Sequence, residues 1–211
     1  MSLRIDIVHI GSLSRNPYWN EKAAKRPAAA TITLITDDER LILVDPGLPP
    51  ELMVAALDQR TGKTPDDIDL IFVTNRREAH RRGLGAFPGV KAYMFERELD
   101  DWAGDRLDPA PRELLERLTP APERLTDRVH IFPTPGPTIG HCSLLLLGAT
   151  GNMMITGDAV LTRDHYEHGA IYDRCMDRET AKESLAEIVE LADVIVPGHD
   201  NFFVARGAGM F

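Results

Sequence analysis

Leu-Ile-Phe-Val-Thr-Asn-Arg-Arg-Glu-Ala-His-Arg-Arg-Gly-Leu, residues 70–84, is the stretch that decides the fold. It begins as a short apolar run of strand formers, continues as a polar turn, and reaches His80 where a helix could begin. Three other apolar runs lead into Asp45, Asp158 and His199. Such runs suit strands that are covered on both faces. Because polar groups at the carboxyl ends of such strands can gather at one edge of a sheet, these four residues are predicted to meet.

Four loop motifs carry a resemblance to a known family. They read Val44-Asp45-Pro46-Gly47, Thr134-Pro135-Gly136-Pro137-Thr138-Ile139-Gly140-His141, Thr156-Gly157-Asp158 and Val196-Pro197-Gly198-His199. In this order they resemble the Asp-x-Gly turn, the Thr-Pro-Gly-His-Thr-x-Gly-His loop, the bridging-aspartate loop and the final histidine loop of the metallo-β-lactamase superfamily. The resemblance spans nearly the whole chain and implies an α/β (α+β) fold, a four-layer αββα sandwich, as a single domain over residues 1–211. The order of elements alone predicts only α/β or α+β.

The metal-binding positions depart from the pattern of that family. Its signature Thr-His-x-His-x-Asp-His here reads Thr74-Asn75-Arg76-Arg77-Glu78-Ala79-His80. In the resemblance, Asn75, Arg77 and Pro137 replace the three histidines that hold the first metal ion. Arginine carries a permanent charge and cannot act as a ligand, and dinuclear hydrolysis needs two filled coordination spheres. The sequence therefore predicts a degenerate site that has lost its dinuclear zinc centre.

One hypothesis is a non-standard or non-catalytic protein whose pocket is free of metal. An Arg77 guanidinium close to Asp158 and Asp45 would neutralise carboxylates that the family neutralises with cations. Arginine also suits carboxylates and phosphates, which indicates a small anion or another small molecule as ligand, although the pocket could equally be a structural remnant. The candidate ligand-binding residues are Asp45, Asn75, Arg76, Arg77 and Arg163.

The alternative hypothesis keeps one divalent ion. The resemblance leaves His80, Asp158 and His199 from the ligands of the second metal, a set that suits Zn and, in some enzymes, Fe, with Mn as a further option. The chain would then be a mononuclear hydrolase of a small ester, lactone or thioester, which are substrate classes that the resemblance implies. Asp158 is the principal catalytic candidate in this hypothesis.

Other residues have both a functional and a structural interpretation. His165 and His168 follow Asp158 in a polar segment, where either could supply a ligand or act as an acid or base, or simply lie on the surface. His165 is retained as a second catalytic candidate. Tyr18 and Trp19 could form a flap over the cleft or fill a gap in the core. By resemblance, His141 is mostly a loop brace, and Asp45 orients the metal loop or is purely structural.

Composition limits the classes of partner. The 211 residues carry a formal net charge of −9, from 24 Lys and Arg against 33 Asp and Glu, which argues against binding to nucleic acid or an acidic membrane. The basic cluster Arg76, Arg77, Arg81 and Arg82 runs against that trend but is expected to be a solvated helix face. Two cysteines give no disulfide framework, no apolar run approaches the length of a membrane span, and no signal-peptide pattern is evident, so a soluble cytoplasmic protein is predicted. A homo-oligomer is compatible with all of these features.

The remaining patterns predict the order of the elements. Strands are expected at 3–10, 28–36, 40–45, 90–95, 129–132, 142–147, 153–156 and 194–196. Helices are expected at 52–60, 79–86, 96–102, 111–118 and 179–191, the last with Leu185, Ile188, Val189 and Leu191 on its apolar side. Residues 160–177 are expected to be irregular.

Overall fold

The computed structural model describes residues 3–205, in which eleven strands form two sheets. The first sheet has the order β1-β2-β3-β4-β5-β6 and the second has the order β11-β10-β9-β8-β7. The strands of the first sheet are β1 Leu3–His9, β2 Ile32–Asp37, β3 Arg40–Val44, β4 Leu70–Val73, β5 Lys91–Met94 and β6 Leu118–Pro120. Those of the second are β7 Val129–Pro133, β8 Cys142–Gly148, β9 Gly151–Gly157, β10 Val194–Pro197 and β11 Phe203–Val204.

Strand direction brings the candidate site residues to one edge. Strands β3, β4, β5 and β6 are parallel, so their carboxyl ends point the same way. In the second sheet β9 and β10 are also parallel. The loops that follow β3, β4, β9 and β10 carry Asp45, His80, Asp158 and His199. These parallel pairs explain why residues far apart in the sequence can converge.

Six α-helices lie within the described range. They are α1 Pro50–Thr61, α2 Glu78–Arg81, α3 Glu96–Gly104, α4 Arg112–Arg117, α5 Arg163–Glu167 and α6 Arg178–Leu191. Short 3-10 turns cover Pro17–Trp19, Pro65–Asp67 and Arg82–Ala86. None of the helices in residues 3–205 is long and apolar enough to cross a bilayer.

Three apolar layers hold the sandwich together. The inner faces of the two sheets share one cluster, whose fully buried members include Val44, Phe72, Leu144 and Val196. A second cluster joins the outer face of the first sheet to α1 and α3, and it contains Ile71, Leu43, Met53, Leu57 and Trp102. A third joins the second sheet to α6, and it contains Met154, Ile195, Leu185 and Ile188. The predicted αββα arrangement is confirmed.

Several local predictions need correction. The helix expected at 79–86 ends early, because Gly83 donates its N–H to the Pro46 carbonyl at 2.7 Å and the chain tightens into a 3-10 turn. Segment 160–177 is not wholly irregular, since it contains α5. Strands β6 and β11 were not predicted. On α6 the buried residues include Ala181 and Ser184, whereas Val189 and Leu191 are 45% and 39% exposed.

Candidate metal centre and cleft

Asp45 holds the loop that follows β4. Its Oδ1 accepts the backbone N–H of Thr74 at 2.8 Å, and its Oδ2 accepts the Thr74 hydroxyl at 2.8 Å. Asp45 has a φ of 52°, in the left-handed region that few non-glycine residues adopt. Such strain persists where the surrounding structure over-determines it, as these hydrogen bonds do here.

His80 lies fully buried in α2 between two carboxylates. Its Nδ1 is 2.8 Å from Asp45 Oδ2, and its Nε2 is 3.1 Å from Asp158 Oδ1. Burial alone would lower the pKa of His80, but the carboxylates of Asp158 and Asp45 outweigh it and raise the pKa to about 10. With no metal bound, His80 is therefore an imidazolium that donates from both ring nitrogens.

His199 approaches the same oxygen from the second sheet. Its Nε2 is 3.0 Å from Asp158 Oδ1, while its Nδ1 donates to the Ala29 carbonyl at 2.8 Å. The rings of His80 and His199 meet edge to face, with centroids 5.4 Å apart. One ligand atom from each of His80, Asp158 and His199 lies within 4.8 Å of the other two. This donor set, two imidazoles and one carboxylate, fits a single divalent ion.

Arg77 occupies the other side of the Asp158 carboxylate. Its Nη1 donates to Asp158 Oδ2 at 2.5 Å, and its Nη2 donates to the carbonyls of Pro137 at 2.8 Å and Arg174 at 3.3 Å. The guanidinium also stacks on the Tyr172 ring, 4.5 Å from its centroid. Arg77 thus contacts Asp158 as the sequence predicts, whereas Asp45 is satisfied by Thr74 and His80 instead.

The electrostatic balance keeps Asp158 ionised. Burial alone would raise its pKa, but His80, His199 and Arg77 outweigh burial and hold the pKa well below its usual range. The carboxylate receives one donor on Oδ2 and two on Oδ1. A fully buried carboxylate needs such compensation, because an unpaired charge at that depth is very costly.

His141 braces the Asp158 loop from behind. Its Nδ1 donates to the Thr134 carbonyl at 3.0 Å, and its Nε2 accepts the backbone N–H of Asp158 at 3.0 Å. Burial lowers the pKa of His141 to about 3, so the ring stays neutral and can accept this hydrogen bond. The brace role that the resemblance implied agrees with this geometry.

Glu98 of α3 ties two site loops together. The carboxylate is completely buried, and it accepts the backbone N–H groups of Arg76 at 2.8 Å and Gly140 at 3.1 Å. These loops carry Arg77 and the Pro137 carbonyl that Arg77 contacts. Sequence reasoning missed Glu98, because a glutamate near the start of a helix is usually exposed.

Comparison with known proteins agrees with the topology. Residues 26–75 match the model of the family described as the Metallo-beta-lactamase superfamily. AiiA of B. thuringiensis, in a variant with N-decanoyl-L-homoserine bound at its active site, is 22% identical with a TM-score of 0.70, over 94% of this chain and 92% of that chain. The chain has the metallo-β-lactamase fold.

Two further solved structures share this fold. AidC, a dizinc quorum-quenching lactonase in complex with a product, is 17% identical with a TM-score of 0.66, over 81% of this chain and 72% of that chain. A protein described as a probable metal-dependent hydrolase from Staphylococcus aureus is 13% identical with a TM-score of 0.73, over 94% and 89% of the two chains. No curated protein sequence matches the chain significantly.

The metallo-β-lactamase-fold cleft opens over the Asp158 cluster as a cavity of about 350 Å³. His80, Asp158, His199 and Arg77 form its polar wall. Side chains from two loops close it, and these are Leu13, Arg15, Pro17, Tyr18, Leu161, His165, Ile171, Tyr172, Asp173 and Arg174. Tyr18 therefore belongs to a flap, and Trp19 is 62% exposed and so fills no gap in the core. Tyr172 and Arg174 were missed by sequence reasoning, because an irregular loop gives no periodic signal.

Other predicted site residues lie away from this cavity. Asn75 is buried, and its Oδ1 accepts the Arg77 backbone N–H at 3.0 Å, so it shapes the turn. Arg76 is buried and forms ion pairs with Asp101, which lies in α3, and with Asp105, which follows the last residue of α3. Arg163 forms a surface ion pair with Glu167. None of these three lines the cavity among the described residues, and Asp45 lies behind His80.

The basic cluster is largely engaged within the protein. Arg76 and Arg77 have the carboxylate partners given above. Arg81 donates to the Arg76 carbonyl and lies over the Trp102 ring, while Arg82 pairs with Glu78. The expectation that this cluster binds no nucleic acid stays a prediction, and the internal pairing supports it.

Proposed function

We propose that the chain is a hydrolase with one divalent metal ion, held by His80, Asp158 and His199, and that Arg77 stands in place of a second ion. The observation that carries the proposal is the anchoring of both imidazoles. The Nδ1 atoms of His80 and His199 are bonded outward, to the Asp45 carboxylate and the Ala29 carbonyl. Histidine ligands of metals almost always donate their other N–H in this way, which leaves Nε2 for the ion.

Charge balance supports a single ion in this cluster. In the absence of an ion, the Nε2 atom of His80 carries a proton that it donates to Asp158 Oδ1. A divalent cation bound at Nε2 of His80 would displace this proton, so part of the added positive charge would be offset by the proton that leaves. Ion binding is therefore expected to release protons and to weaken as the pH falls.

Arg77 excludes the usual second ion. Its guanidinium already uses Asp158 Oδ2 and the Pro137 carbonyl. Asn75 and Pro137 provide no imidazole, so the first coordination sphere of the family has no histidine left. Arg77 supplies positive charge next to Asp158, but a guanidinium cannot coordinate and activate a water molecule as a metal ion does. For this reason we propose that the dinuclear chemistry has been lost.

The cavity suits a small ester, lactone or thioester. Its volume of about 350 Å³ lies at the small end of the range for ligand pockets. A divalent ion in this position would polarise a carbonyl and make a bound water a nucleophile at neutral pH. The residues of the chain would orient the substrate: Arg77 and Tyr172 form one wall, while Leu161 and Ile171 exclude water.

Metal analysis tests the proposal directly. Protein grown with added Zn, Fe and Mn should contain about one ion per chain by elemental analysis, and His199→Ala should lose it. His168→Ala is the matched control, because His168 is exposed and does not line the cavity. The metal-loaded protein should hydrolyse para-nitrophenyl acetate, and His199→Ala should not. A wild-type protein that takes up none of these ions would overturn the proposal.

A second candidate is a metal-free pocket for a small anion. It is favoured by the pairing of His80 with two carboxylates, which satisfies the cluster without an ion. In that case the protein would contain no metal, and calorimetry with acetate and inorganic phosphate would show binding that Arg77→Ala weakens. Both candidate functions propose that no second metal ion binds next to Arg77.

Location and partners remain predictions. The two cysteines, Cys142 and Cys175, are both free, which agrees with a reducing compartment such as the cytoplasm. A small-molecule partner follows from either candidate function.

A further inference from the structure

His165 is a cavity residue that the metal site does not use. It lies in α5, is 6% exposed, and lines the same cavity as Asp158. Its Nδ1 is 2.7 Å from the Thr162 hydroxyl. Because Nδ1 is engaged with Thr162, Nε2 is the ring nitrogen that remains available to a ligand in the cavity.

Thr162 contacts the Nδ1 side of the His165 ring through its hydroxyl. The Thr162 hydroxyl oxygen already accepts the backbone N–H of His165 at 3.3 Å, as the cap of α5. Its own proton is then free to donate to Nδ1 of the ring. When the hydroxyl donates to Nδ1, the imidazole proton lies on Nε2, which makes His165 a hydrogen-bond donor toward the cavity.

Tyr18 holds the ring in place from the opposite loop. Its ring meets His165 edge to face, with centroids 4.9 Å apart, and stacks on His168 at 4.6 Å. Asn16 strengthens the contact between the loop and α5, because its side chain caps the turn at Tyr18 and lies 3.5 Å from Asp164. The His165 ring is therefore presented in a fixed orientation.

The surroundings select the chemistry of the ligand. Burial lowers the pKa of His165, so the ring is neutral at pH 7. Leu161 and Ile171 line the cavity along with His165, and Asp173, which lines it too, is paired with Arg15. A neutral N–H donor in an apolar setting best matches an uncharged acceptor oxygen.

We propose that His165, with Tyr18 beside it, forms a substrate subsite that binds an uncharged carbonyl oxygen lying outside the bond that is hydrolysed. The proposal rests on the hydrolase function argued above and names the substrate class for it, an ester or lactone with a second carbonyl. His165 is a positioning residue in this arrangement and is neither a metal ligand nor an acid.

A matched pair of substrates tests the subsite. Para-nitrophenyl levulinate differs from para-nitrophenyl valerate by one added carbonyl oxygen. His165→Phe keeps a ring but removes the donor, so KM for the levulinate should rise about fivefold to tenfold, which is the effect of one lost neutral hydrogen bond. The kcat value, and both constants for the valerate, should stay nearly unchanged. His130→Phe is the control, because His130 lies on β7 and does not line the cavity, and it should leave both substrates unaffected.

An equal change for both substrates, or none for either, would overturn the subsite. A second measurement separates this outcome from failure of the hydrolase function. In protein stripped of metal with EDTA, methyl levulinate should shift the His165 Nε2 resonance in nitrogen-15 spectra of histidine-labelled protein, and methyl valerate should not. If the resonance shifts but no ester is hydrolysed, the proposed subsite stands and the proposed hydrolase function is rejected. If the resonance does not shift, the subsite is rejected whatever the activity.

Discussion

Arg77 supplies the positive charge that faces Asp158 Oδ2 at the level of single contacts. Removing it in Arg77→Ala leaves Asp158 Oδ2 without its donor. We expect a loss of about 2–3 kcal/mol in the free energy of unfolding, less than for a fully buried pair because the Arg77 side chain is 27% exposed. Urea denaturation measures it. Arg163→Ala, which breaks an exposed ion pair, should cost less than about 0.5 kcal/mol, and an equal loss in both variants would contradict this role for Arg77.

His141 gives the site a pH dependence with a definite sign. Its pKa in the folded protein, about 3, is below the value of 6.5 for an unperturbed histidine. The unfolded state therefore binds more protons, so this contribution to stability is complete above about pH 6.5 and declines as the pH falls toward about 3. The stability difference between wild type and His141→Gln should shrink between about pH 7 and about pH 4.5 in urea titrations. A constant difference would show that His141 need not stay neutral.

The meeting of His80, Asp158 and His199 followed from the sequence pattern, whereas Asn75, Arg76 and Arg163 were expected in the pocket and do not line the cavity. His80, Asp158 and His199 converge because each follows a buried strand, and the parallel pairing in each sheet sets the direction of those strands. The contacts of Arg77 with Tyr172 and the Arg174 carbonyl come from a loop without periodicity, so no local pattern could indicate them. The same holds for Glu98, whose partners are backbone groups more than twenty residues away.

At the scale of elements, the turn after β9 decides whether the site can form. Gly157 has a φ of 47°, and a Cβ there would lie 2.6 Å from the Thr74 hydroxyl and 2.9 Å from His141 Nε2. Gly157→Ala should therefore cost about 2–4 kcal/mol, from backbone strain together with displacement of both partners. Gly169→Ala is the matched control, since its φ is 59° but no atom lies within 4 Å of the added Cβ. Its cost should be about 1 kcal/mol, and equal melting temperatures for the two variants would refute the steric part.

Elements were predictable to the extent that their own residues determine them. Strands β4, β9 and β10 are buried apolar runs, and burial on both faces gives a strong signal. Strands β6 and β11 have only three and two residues, and each forms by pairing with a neighbouring strand, β5 and β10 respectively. Such pairing depends on the tertiary structure, so the local sequence does not predict it. Helix α5 has five residues and depends on the Thr162 cap. The prediction that Val189 and Leu191 lie on the buried side of α6 was wrong, because both side chains face solvent.

At the scale of the whole molecule, the site joins the two sheets. Asp45, Arg77 and His80 follow strands of the first sheet, whereas Asp158 and His199 follow strands of the second. An ion bound by His80, Asp158 and His199 would therefore cross-link both halves of the sandwich. Because such a ligand binds only the folded state, it stabilises the whole fold by mass action.

The proposed absence of a second ion can be tested by placing histidines at the three positions where the family resemblance expects them. The variant Asn75→His, Arg77→His and Pro137→His returns an imidazole to each position where the family resemblance places one. Since the loops after β4 and before β8 already meet at Asp158, metal content should rise from about one to about two ions per chain by elemental analysis. Arg163→His adds a histidine on the surface and should leave the content unchanged. If the triple variant folds, as judged by cooperative unfolding, and still binds one ion or none, then the residues at these three positions do not account for the proposed absence of a second ion.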